Sequence, residues 1–362
     1  MADPTLVLVM IVKNEASVIT RCLDSVKSII QSWVIVDTGS SDGTQDVIRT
    51  AMQGIPGQLY ERPWHHFGHN RSEALELGRT WADYSLMMDA DDALEILPDY
   101  HPSQLRADAY YLPISHGELR YNRMQIFANR LPWRYEGVLH EYPVCEAAQS
   151  KDTLQSLRYL FLGGGGRSRD PNKYLRDAQL LKEALLTEPN NVRYVFYLAQ
   201  SYRDAGYLED AITTYRQRTL MGGWDQEIYY SMLQIGILAE RYQPDPNLIV
   251  ITYLRAYQYR PQRAESLYHA ARYCRTRQEY ALAYMFAKQG IGIVMPDDSL
   301  FVDASVYQWK ILDELAIAAY WIGSRQEALE LNTRLLELVQ KGVVPDSQAK
   351  RIHDNLSFCQ PS

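Results

Sequence analysis

The sequence of 362 residues predicts an α/β domain followed by an all-α domain of helical repeats. Three observations support this fold class. Apolar runs alternate with helical spacing in the first half, polar clusters follow the ends of those runs, and four glycines precede a helical second half. The length is sufficient for two domains. We place the α/β domain at residues 1–162, a glycine-rich linker at 163–170 and the repeat domain at 171–362.

The first half alternates strands and helices. Leu6–Val12 is a continuous apolar run, which is typical of a strand buried on both faces of a parallel sheet. Residues 16–30 carry apolar residues at helical spacing, and residues 33–36 form a second short strand. The later elements are a helix ending at residue 52, a strand at 59–60, a helix over 70–81 and a strand over 84–88. This order predicts a Rossmann-like, mostly parallel sheet that binds ligands at the carboxyl ends of its strands.

The second half begins at the glycine run, residues 163–166, which can hold neither a helix nor a strand. Small-residue turns that lead into helical stretches then recur. Ala211 and Ala283 stand at equivalent places in two of them, 72 residues apart, which is about twice the tetratricopeptide period of roughly 34 residues. We therefore predict three or four helical hairpins packed as a short solenoid, with a non-repeating helical bundle as the alternative.

Composition excludes several classes of protein. Residues 1–162 carry 14 Lys and Arg against 21 Asp and Glu, and the remaining residues carry 23 of each, so no basic face for nucleic acid is indicated. No apolar run approaches the length that crosses a bilayer, and no leader sequence opens the chain. The four cysteines lie far apart, which argues against a zinc site. We expect a soluble, cytoplasmic protein with reduced thiols and no membrane span.

The strongest candidate site is the acidic cluster at residues 89–92, directly after the fourth strand. Asp89, Asp91 and Asp92 repel one another unless a cation lies among them. Carboxylate oxygens suit Mg²⁺ or Mn²⁺, and such an ion can bridge a diphosphate and offset the charge on a leaving nucleotide. The alternative is a solvated acidic loop that caps the next helix.

Polar residues also follow the second strand and open a later helix. Asp37 ends the second strand, where its carboxylate can accept hydrogen bonds from a base or a ribose, whereas Asp42 suits a helix-capping role. Asn70 and Arg71 open a helix, and Arg71 can hold a phosphate or a sugar, although an arginine there is as often only solvated. His65, His66 and His69 precede that helix and are interpreted as loop residues.

The pair of His140 and Glu141 is the next candidate. A histidine can complete a metal site that carboxylates begin, and a neighbouring glutamate can act as a general base. A surface pair without a function is the alternative. Three basic residues after the glycine run can fold over a bound diphosphate: Arg167, Lys173 and Arg176.

Four motifs together resemble family-2 glycosyltransferases of the GT-A fold, in the order seen in that family. They lie at residues 10–15, 36–44, 88–92 and 137–141. More narrowly, the chain resembles a bacterial-type group that carries tetratricopeptide repeats behind the catalytic domain. The peptide S-glycosyltransferases of glycocin biosynthesis are distant relatives with the same layout. The resemblance covers nearly the whole chain.

The resemblance implies that residues 1–162 are a catalytic domain that binds a nucleotide sugar, most often of uridine. It implies Asp91 as the principal metal ligand, Asp89 as a ribose or metal contact, and His140 as the residue that completes the site. Members invert the anomeric centre, so one base must deprotonate the acceptor. We assign that base to Glu141, with Glu136 as the alternative, since the usual acidic pair at a helix start is not evident. The residues expected to bind the nucleotide sugar are Val12, Glu15, Asp37, Asn70, Arg71, Met88, Asp89 and Ala90.

The leading hypothesis is an inverting, Mn²⁺- or Mg²⁺-dependent transferase that moves a hexose or N-acetylhexosamine from a UDP-sugar to an acceptor. The acceptor is a peptide, a protein or a glycan, and the repeats bind it or build a homo-oligomer. One alternative is a non-catalytic repeat scaffold with a vestigial transferase domain. A nucleotidyltransferase is the other, but that class usually carries a Gly- and Lys-rich phosphate loop near its first strand, and none is visible.

Overall fold

The structure is a computed structural model that describes residues 3–116, 119–242 and 245–359. The chain divides into two compact units, Met1–Pro189 and Asn190–Ser362. The first unit holds the sheet, and the described residues of the second contain helices and no strand. These folds confirm the predicted order of an α/β part followed by an all-α part. The division falls after the predicted linker at 163–170, which lies inside the first unit.

The first unit is built on a nine-stranded mixed sheet. The strands in that sheet are β1 Leu6–Val12, β2 Ser32–Asp37, β3 Gly57–Glu61, β4 Tyr84–Met87, β5 Ala93–Ile96, β6 Ala109–His116, β7 Leu119–Ala128, β10 Lys151–Thr153 and β11 Leu157–Leu160. Their order is β3-β2-β1-β4-β7-β6-β11-β5, with β10 paired to β6. A separate hairpin joins β8 Arg134–Glu136 to β9 Tyr142–Val144.

Most of the strand pairs in this sheet are parallel, as predicted. β3, β2, β1 and β4 are parallel, and β6 pairs in parallel with β10 and β11. The antiparallel pairs are β4 with β7, β7 with β6, and β11 with β5. The predicted mostly parallel sheet is therefore confirmed, and its antiparallel pairs lie beyond β4, where strands of a hairpin such as β6 and β7 pair antiparallel.

The helices of the first unit are α1 Ile19–Val26, α2 Thr44–Ala51, α3 Phe67–Gly78 and α4 Lys173–Thr187. The first three cover the two faces of the parallel strands, with α1 and α2 on one face and α3 on the other. Leu8 and Met10 of β1 belong to the apolar cluster that contains α1, while Val7 and Val9 belong to the cluster that contains α3. Burial on both faces explains why β1 is uniformly apolar. It also leaves the carboxyl ends of the strands as the place where polar groups meet.

Two helices begin at other residues than predicted. α1 begins at Ile19 because residues 14–18 form a turn, in which Asn14 has a left-handed φ of 58° and the Val18 N–H donates to the Glu15 carbonyl. α3 begins at Phe67, earlier than residue 70, because the His66 side chain accepts a hydrogen bond from the His69 N–H and caps the helix. A backbone turn sets the start of α1 and a side-chain cap sets the start of α3, and the apolar spacing reports neither.

The second unit is a succession of antiparallel helix pairs. Its helices are α5 Val192–Asp204, α6 Leu208–Leu220, α7 Asp225–Tyr242, α8 Pro246–Tyr259, α9 Glu265–Thr276, α10 Tyr280–Gly290, α11 Ile311–Trp321, α12 Arg325–Gln340 and α13 Asp346–Cys359. Each helix packs against the next one along the chain. Within the described residues this gives four hairpins and a final helix, which agrees with a short solenoid. In these three ranges no helix is long and apolar enough to cross a membrane.

Candidate active site

The loops that follow β1 and β2 are tied together by hydrogen bonds. The Asn14 N–H donates to the Ser40 hydroxyl at 2.9 Å, and the Ser41 N–H donates to the Asn14 side-chain oxygen at 2.8 Å. The Glu15 N–H donates to the Thr44 hydroxyl at 2.8 Å. Val12 and Asp37 are register partners at the ends of these two parallel strands. The polar residues after the strands therefore share one edge of the sheet, as predicted.

Asp37 is buried at the end of β2, and only one of its two carboxylate oxygens is hydrogen-bonded within the described residues. Its Oδ1 accepts the N–H groups of Gly39 and Ser40, each at 2.7 Å. Its Oδ2 is also buried and has no hydrogen-bond partner among the described residues. A buried acceptor without a partner costs about 1–3 kcal/mol, so an N–H or O–H from a ligand can stabilise this site. This geometry suits a base or ribose contact.

Asp89 is held by two arginines. Arg71 pairs with Oδ1, and Arg123 pairs with Oδ2 at 3.1 Å. The Asp89 N–H donates to the Tyr159 hydroxyl at 3.0 Å. Burial opposes ionisation of this carboxyl, but the two guanidinium groups outweigh burial and hold its pKa below the ordinary range. Both oxygens are therefore engaged within the protein.

Asp92 faces the opposite electrostatic environment. Its side chain is fully buried; Oδ1 accepts the Leu162 N–H at 3.1 Å, and Oδ2 has no hydrogen-bond partner in the described part of the chain. Burial, together with the charges of Asp89 and Asp91, raises the pKa of Asp92 to about 6. Asp92 is therefore a buried acid for which the neutral form is favoured more than it is in water.

Asp91, like Asp89, is partly open to solvent. Its Oδ2 accepts the Gly165 N–H at 3.1 Å. The Gly166 N–H donates to both carboxylate oxygens of Glu15, at 3.1 and 3.2 Å. A Cβ atom on Gly165 would lie 2.8 Å from Asp91 Oδ2 and 2.9 Å from Glu15 Oε2, so the two carboxylates flank one point. The glycine run thus lies directly over the acidic residues.

The pKa of Glu15 is raised to about 7 by this environment. Burial is the largest cause, and the nearby charge of Asp91 adds to it, while the Gly166 N–H acts in the opposite direction. Glu15 was predicted only as a nucleoside contact. Its position beside Asp91 also makes it a neighbour of the predicted metal ligand.

Glu141 is buried in an ion pair with Arg71. The Arg71 Nε and Glu141 Oε1 atoms lie 2.6 Å apart, and the side chains are 6% and 7% exposed. Arg71 thereby bridges Asp89 and Glu141, and its guanidinium lies 5.6 Å from the centre of the Tyr135 ring. The solvated arginine considered from the sequence is therefore wrong. The carboxylate of Glu141 therefore contacts the guanidinium of Arg71, whereas a catalytic base must contact the acceptor.

Glu136 and His140 lie at the surface. Glu136 is 43% exposed; its carboxylate pairs with Arg134 at 2.7 Å and accepts a hydrogen bond from the Tyr142 hydroxyl at 3.1 Å. His140 is exposed and has a left-handed φ of 51°, which is uncommon for a residue with a side chain. A backbone held in that region is frequent at functional sites.

The other predicted nucleotide-sugar contacts have side chains that point into the protein. Asn70 is fully buried; its Oδ1 accepts the His65 N–H, and its Nδ2 donates to the Pro63 carbonyl, each at 3.0 Å. These bonds fix the loop before α3. Val12, Met88 and Ala90 are buried in the apolar core. They can offer a ligand their backbone groups alone.

The three predicted metal ligands do not form a ready cage. Among the described residues, no group of three His, Cys, Asp or Glu side chains is arranged to hold a metal ion. Asp91 and Glu15 are nevertheless adjacent carboxylates at a strand end. Mg²⁺ is commonly held by one or two carboxylates together with substrate phosphates and water. The residues present fit an ion that arrives with a diphosphate.

Two residues of the site were missed from the sequence. Arg123 lies on β7 and Tyr159 on β11, and both reach Asp89 from strands that the apolar pattern did not predict. Their positions depend on pairing between distant segments, and nothing in their local sequence signals it. The hydrogen bonds from Gly165 and Gly166 were missed because a glycine run was interpreted only as a linker.

Comparison with known proteins gives the first unit a family. Residues 7–154 match the family described as Glycosyl transferase family 2. The first unit contains a family 2 glycosyltransferase domain. The matched region includes β1, the acidic cluster and the loop that carries His140.

The chain is also similar to individual proteins, of which two sequences and one solved structure follow. A TPR repeat-containing protein of Synechococcus elongatus is 24% identical over 306 residues, which are 78% of this chain and 74% of that protein. An uncharacterized glycosyltransferase of Rickettsia felis is 32% identical over 116 residues, which are 32% of this chain and 36% of that protein. The crystal structure of MamA covers 50% of this chain, with 18% identity and a TM-score of 0.40.

Proposed function

We propose that the chain transfers a hexose or N-acetylhexosamine from a UDP-sugar to an acceptor, with inversion and with the help of Mn²⁺ or Mg²⁺. The observation that carries this proposal is the arrangement at the carboxyl ends of β2 and β4. Asp37 presents a buried oxygen that has no hydrogen-bond partner in the described ranges, and Asp91 presents a carboxylate beside that of Glu15. The Asp37 oxygen suits a hydrogen bond from the nucleoside. The carboxylates of Asp91 and Glu15 suit a cation that is bound to the diphosphate.

The residues around Asp91 reduce the negative charge of the acidic cluster, which favours the binding of a diphosphate there. Arg71 and Arg123 neutralise Asp89, and Asp92 is buried with a raised pKa, so the full repulsion of three carboxylates is avoided. We assign the cation to Asp91, with Glu15 next to it and His140 as a further candidate. When bound, the ion offsets the negative charge that develops on the leaving nucleotide.

We assign Glu141 a positioning role and the base to Glu136. A base must come within hydrogen-bond reach of the acceptor proton, and Glu141 is buried against Arg71. Glu136 also pairs with a guanidinium, that of Arg134, but both side chains of that pair are more than 40% exposed, so the Glu136 carboxylate is accessible to an acceptor. Direct displacement requires one such group on the acceptor side.

We place acceptor binding, at least in part, on the helical repeats. Successive helix pairs create extended surfaces that hold chains or partner proteins, and a similar protein of Synechococcus elongatus is described as repeat-containing. The same observation supports a scaffold as the second candidate function. A measurement of sugar transfer distinguishes a transferase from a scaffold, whereas a measurement of partner binding does not.

The deciding experiment incubates the full chain with a panel of nucleotide sugars and Mn²⁺ and measures release of free nucleoside diphosphate. We expect slow release of UDP from one or a few UDP-sugars, and loss of release in Asp37→Asn and Asp91→Asn. Release of pyrophosphate instead would indicate a nucleotidyltransferase. Absence of both turnover and donor binding would indicate the scaffold.

A further inference from the structure

The loop between β3 and α3 exposes an aromatic pair. The Trp64 side chain is 38% exposed and contacts the Phe67 ring edge to face, with centroids 4.7 Å apart and an interplanar angle of 79°. An indole has a large apolar face and a polar N–H, so an exposed Trp can both stack on a ligand and hydrogen-bond to it. No role in the site has been assigned to this pair so far.

The loop that carries Trp64 is held rigidly. Asn70 bonds to the backbone on both sides of Trp64, through the Pro63 carbonyl and the His65 N–H. The Arg62 Nε and Glu73 Oε1 atoms lie 2.9 Å apart and close the base of the loop. An exposed aromatic group on a fixed backbone can contact a ligand with little loss of conformational entropy.

The same loop adjoins the candidate active site. The Phe67 N–H donates to the Val138 carbonyl at 3.3 Å, next to the segment that carries His140. The Arg167 guanidinium lies 4.5 Å from the centre of the Phe67 ring. Arg167 follows directly after the glycines that donate to Asp91 and Glu15. The aromatic pair is therefore connected to the acidic cluster through one side chain.

Three imidazoles lie next to the aromatic pair in the sequence and contact one another. The His65 and His69 ring centroids lie 4.4 Å apart, and those of His66 and His69 lie 5.9 Å apart. Burial, and then the neighbouring His69 and His65, lower the pKa of His66, while Glu141 acts in the opposite direction. The His66 Nδ1 atom already accepts the His69 N–H, so a sugar hydroxyl can meet the other ring nitrogen of His66 and the ring nitrogens of the exposed His65 and His69.

We propose that residues 62–70 form a carbohydrate-binding surface for the acceptor, on which Trp64 stacks against a sugar ring. A pyranose has an apolar face of C–H groups and a rim of hydroxyls. The indole face suits the first, and the imidazoles of His65, His66 and His69 suit the second. This inference rests on the proposed transfer reaction and narrows its acceptor to a glycan or a glycosylated molecule, in preference to a bare peptide.

The experiment measures acceptor binding without any donor. Saturation-transfer NMR of the full chain is recorded with a panel of neutral oligosaccharides and a panel of unglycosylated peptides. We expect transfer to at least one oligosaccharide, weakened about threefold to tenfold in Trp64→Ala and largely restored in Trp64→Phe. Leu186→Ala is the control, because Leu186 is an apolar residue of α4 that is 84% exposed and lies in the first unit, outside the repeats.

Three results would overturn the inference: equal sugar binding by wild type and Trp64→Ala, binding of peptides alone, or displacement of the sugar by UDP. Thermal denaturation of Trp64→Ala is measured in parallel, and an unchanged transition shows that lost binding is not lost folding. Because no donor is present, failure here is separate from failure of the UDP-release experiment.

Discussion

Asp89, Asp91 and Asp92 stand within four residues of one another, yet each has different neighbours. Two guanidinium groups neutralise the first, solvent and a backbone N–H meet the second, and apolar burial surrounds the third. At the scale of single residues, the surroundings and not the residue type decide which carboxylate can meet a ligand.

Asp91→Asn should remove the metal-dependent activity without unfolding the protein. The side chain is partly exposed, so its replacement costs little stability, whereas loss of the carboxylate weakens the cation and the diphosphate together. We expect UDP release to fall by about 100-fold or more. Asp24→Asn is the control, since Asp24 is an exposed aspartate of α1. Equal rates for both variants would contradict the assignment.

Asp92→Asn should make the protein more stable at neutral pH. Since the pKa of Asp92 is raised to about 6 on folding, the unfolded chain releases this proton first as pH rises. Stability is therefore lost between about pH 4 and pH 6, and the loss persists above that range. We expect the variant to gain about 1–3 kcal/mol at pH 7 and to lose this pH dependence. Urea denaturation at pH 4 and pH 7 measures both effects, and an unchanged pH profile would contradict them.

Glu141→Gln should mainly change the stability of the protein, and Glu136→Gln should mainly change its catalytic rate. The first leaves Arg71 under-compensated in a buried site and should lower stability by about 3–5 kcal/mol. The second should leave stability nearly unchanged and lower kcat with little change in KM. Thermal denaturation and steady-state kinetics separate them. A stable but inactive Glu141→Gln variant would return the role of base to Glu141.

At the scale of elements, the strands and helices that have a local apolar pattern could be predicted from the sequence. The first four strands lie close to their predicted positions, because an apolar run buried on both faces is a local signal. The strands after the acidic cluster, β5 to β11, were not predicted, since their pairing joins distant segments such as β11 with β5 and β6. The same limit hid Arg123 and Tyr159, while Asp37 and Asp91 were found because they follow predicted strands.

Gly165→Ala should displace the glycine run from the acidic cluster. A Cβ atom at this position would lie within 3 Å of both Asp91 and Glu15. We expect a loss of about 1–3 kcal/mol and faster proteolysis around residues 163–166. Gly292→Ala is the control, because a Cβ atom there meets no atom within 4 Å. Equal proteolysis rates would indicate that the segment is held by other contacts.

At the scale of the whole molecule, each unit has its own apolar core and its own ionic network. In the second unit, Arg218 pairs with Glu227 at 2.9 Å and Arg263 pairs with Glu265 at 2.7 Å. Both arginines are completely buried. Breaking such a pair on one side leaves a charge in the interior without compensation. The described repeats therefore depend on a few charged residues as well as on apolar packing.

Glu227→Gln should destabilise the second unit selectively. The buried Arg218 then lacks its charged partner, at a cost of about 3–5 kcal/mol. Calorimetry of the full chain should show one transition shifted to lower temperature and a second transition that still responds to UDP and Mn²⁺. Glu209→Gln is a control on the surface of α6. A single shifted transition would show that the two units unfold together.

The glycine run also determines where this protein can be divided for recombination. A chain cut before residue 163 would lose the N–H groups that Gly165 and Gly166 give to Asp91 and Glu15, as well as Arg167 beside Phe67. A hybrid that exchanges repeats between relatives therefore needs its junction after Pro189, where the first unit ends. The segment that most resembles a spacer in the sequence belongs with the chemistry it covers.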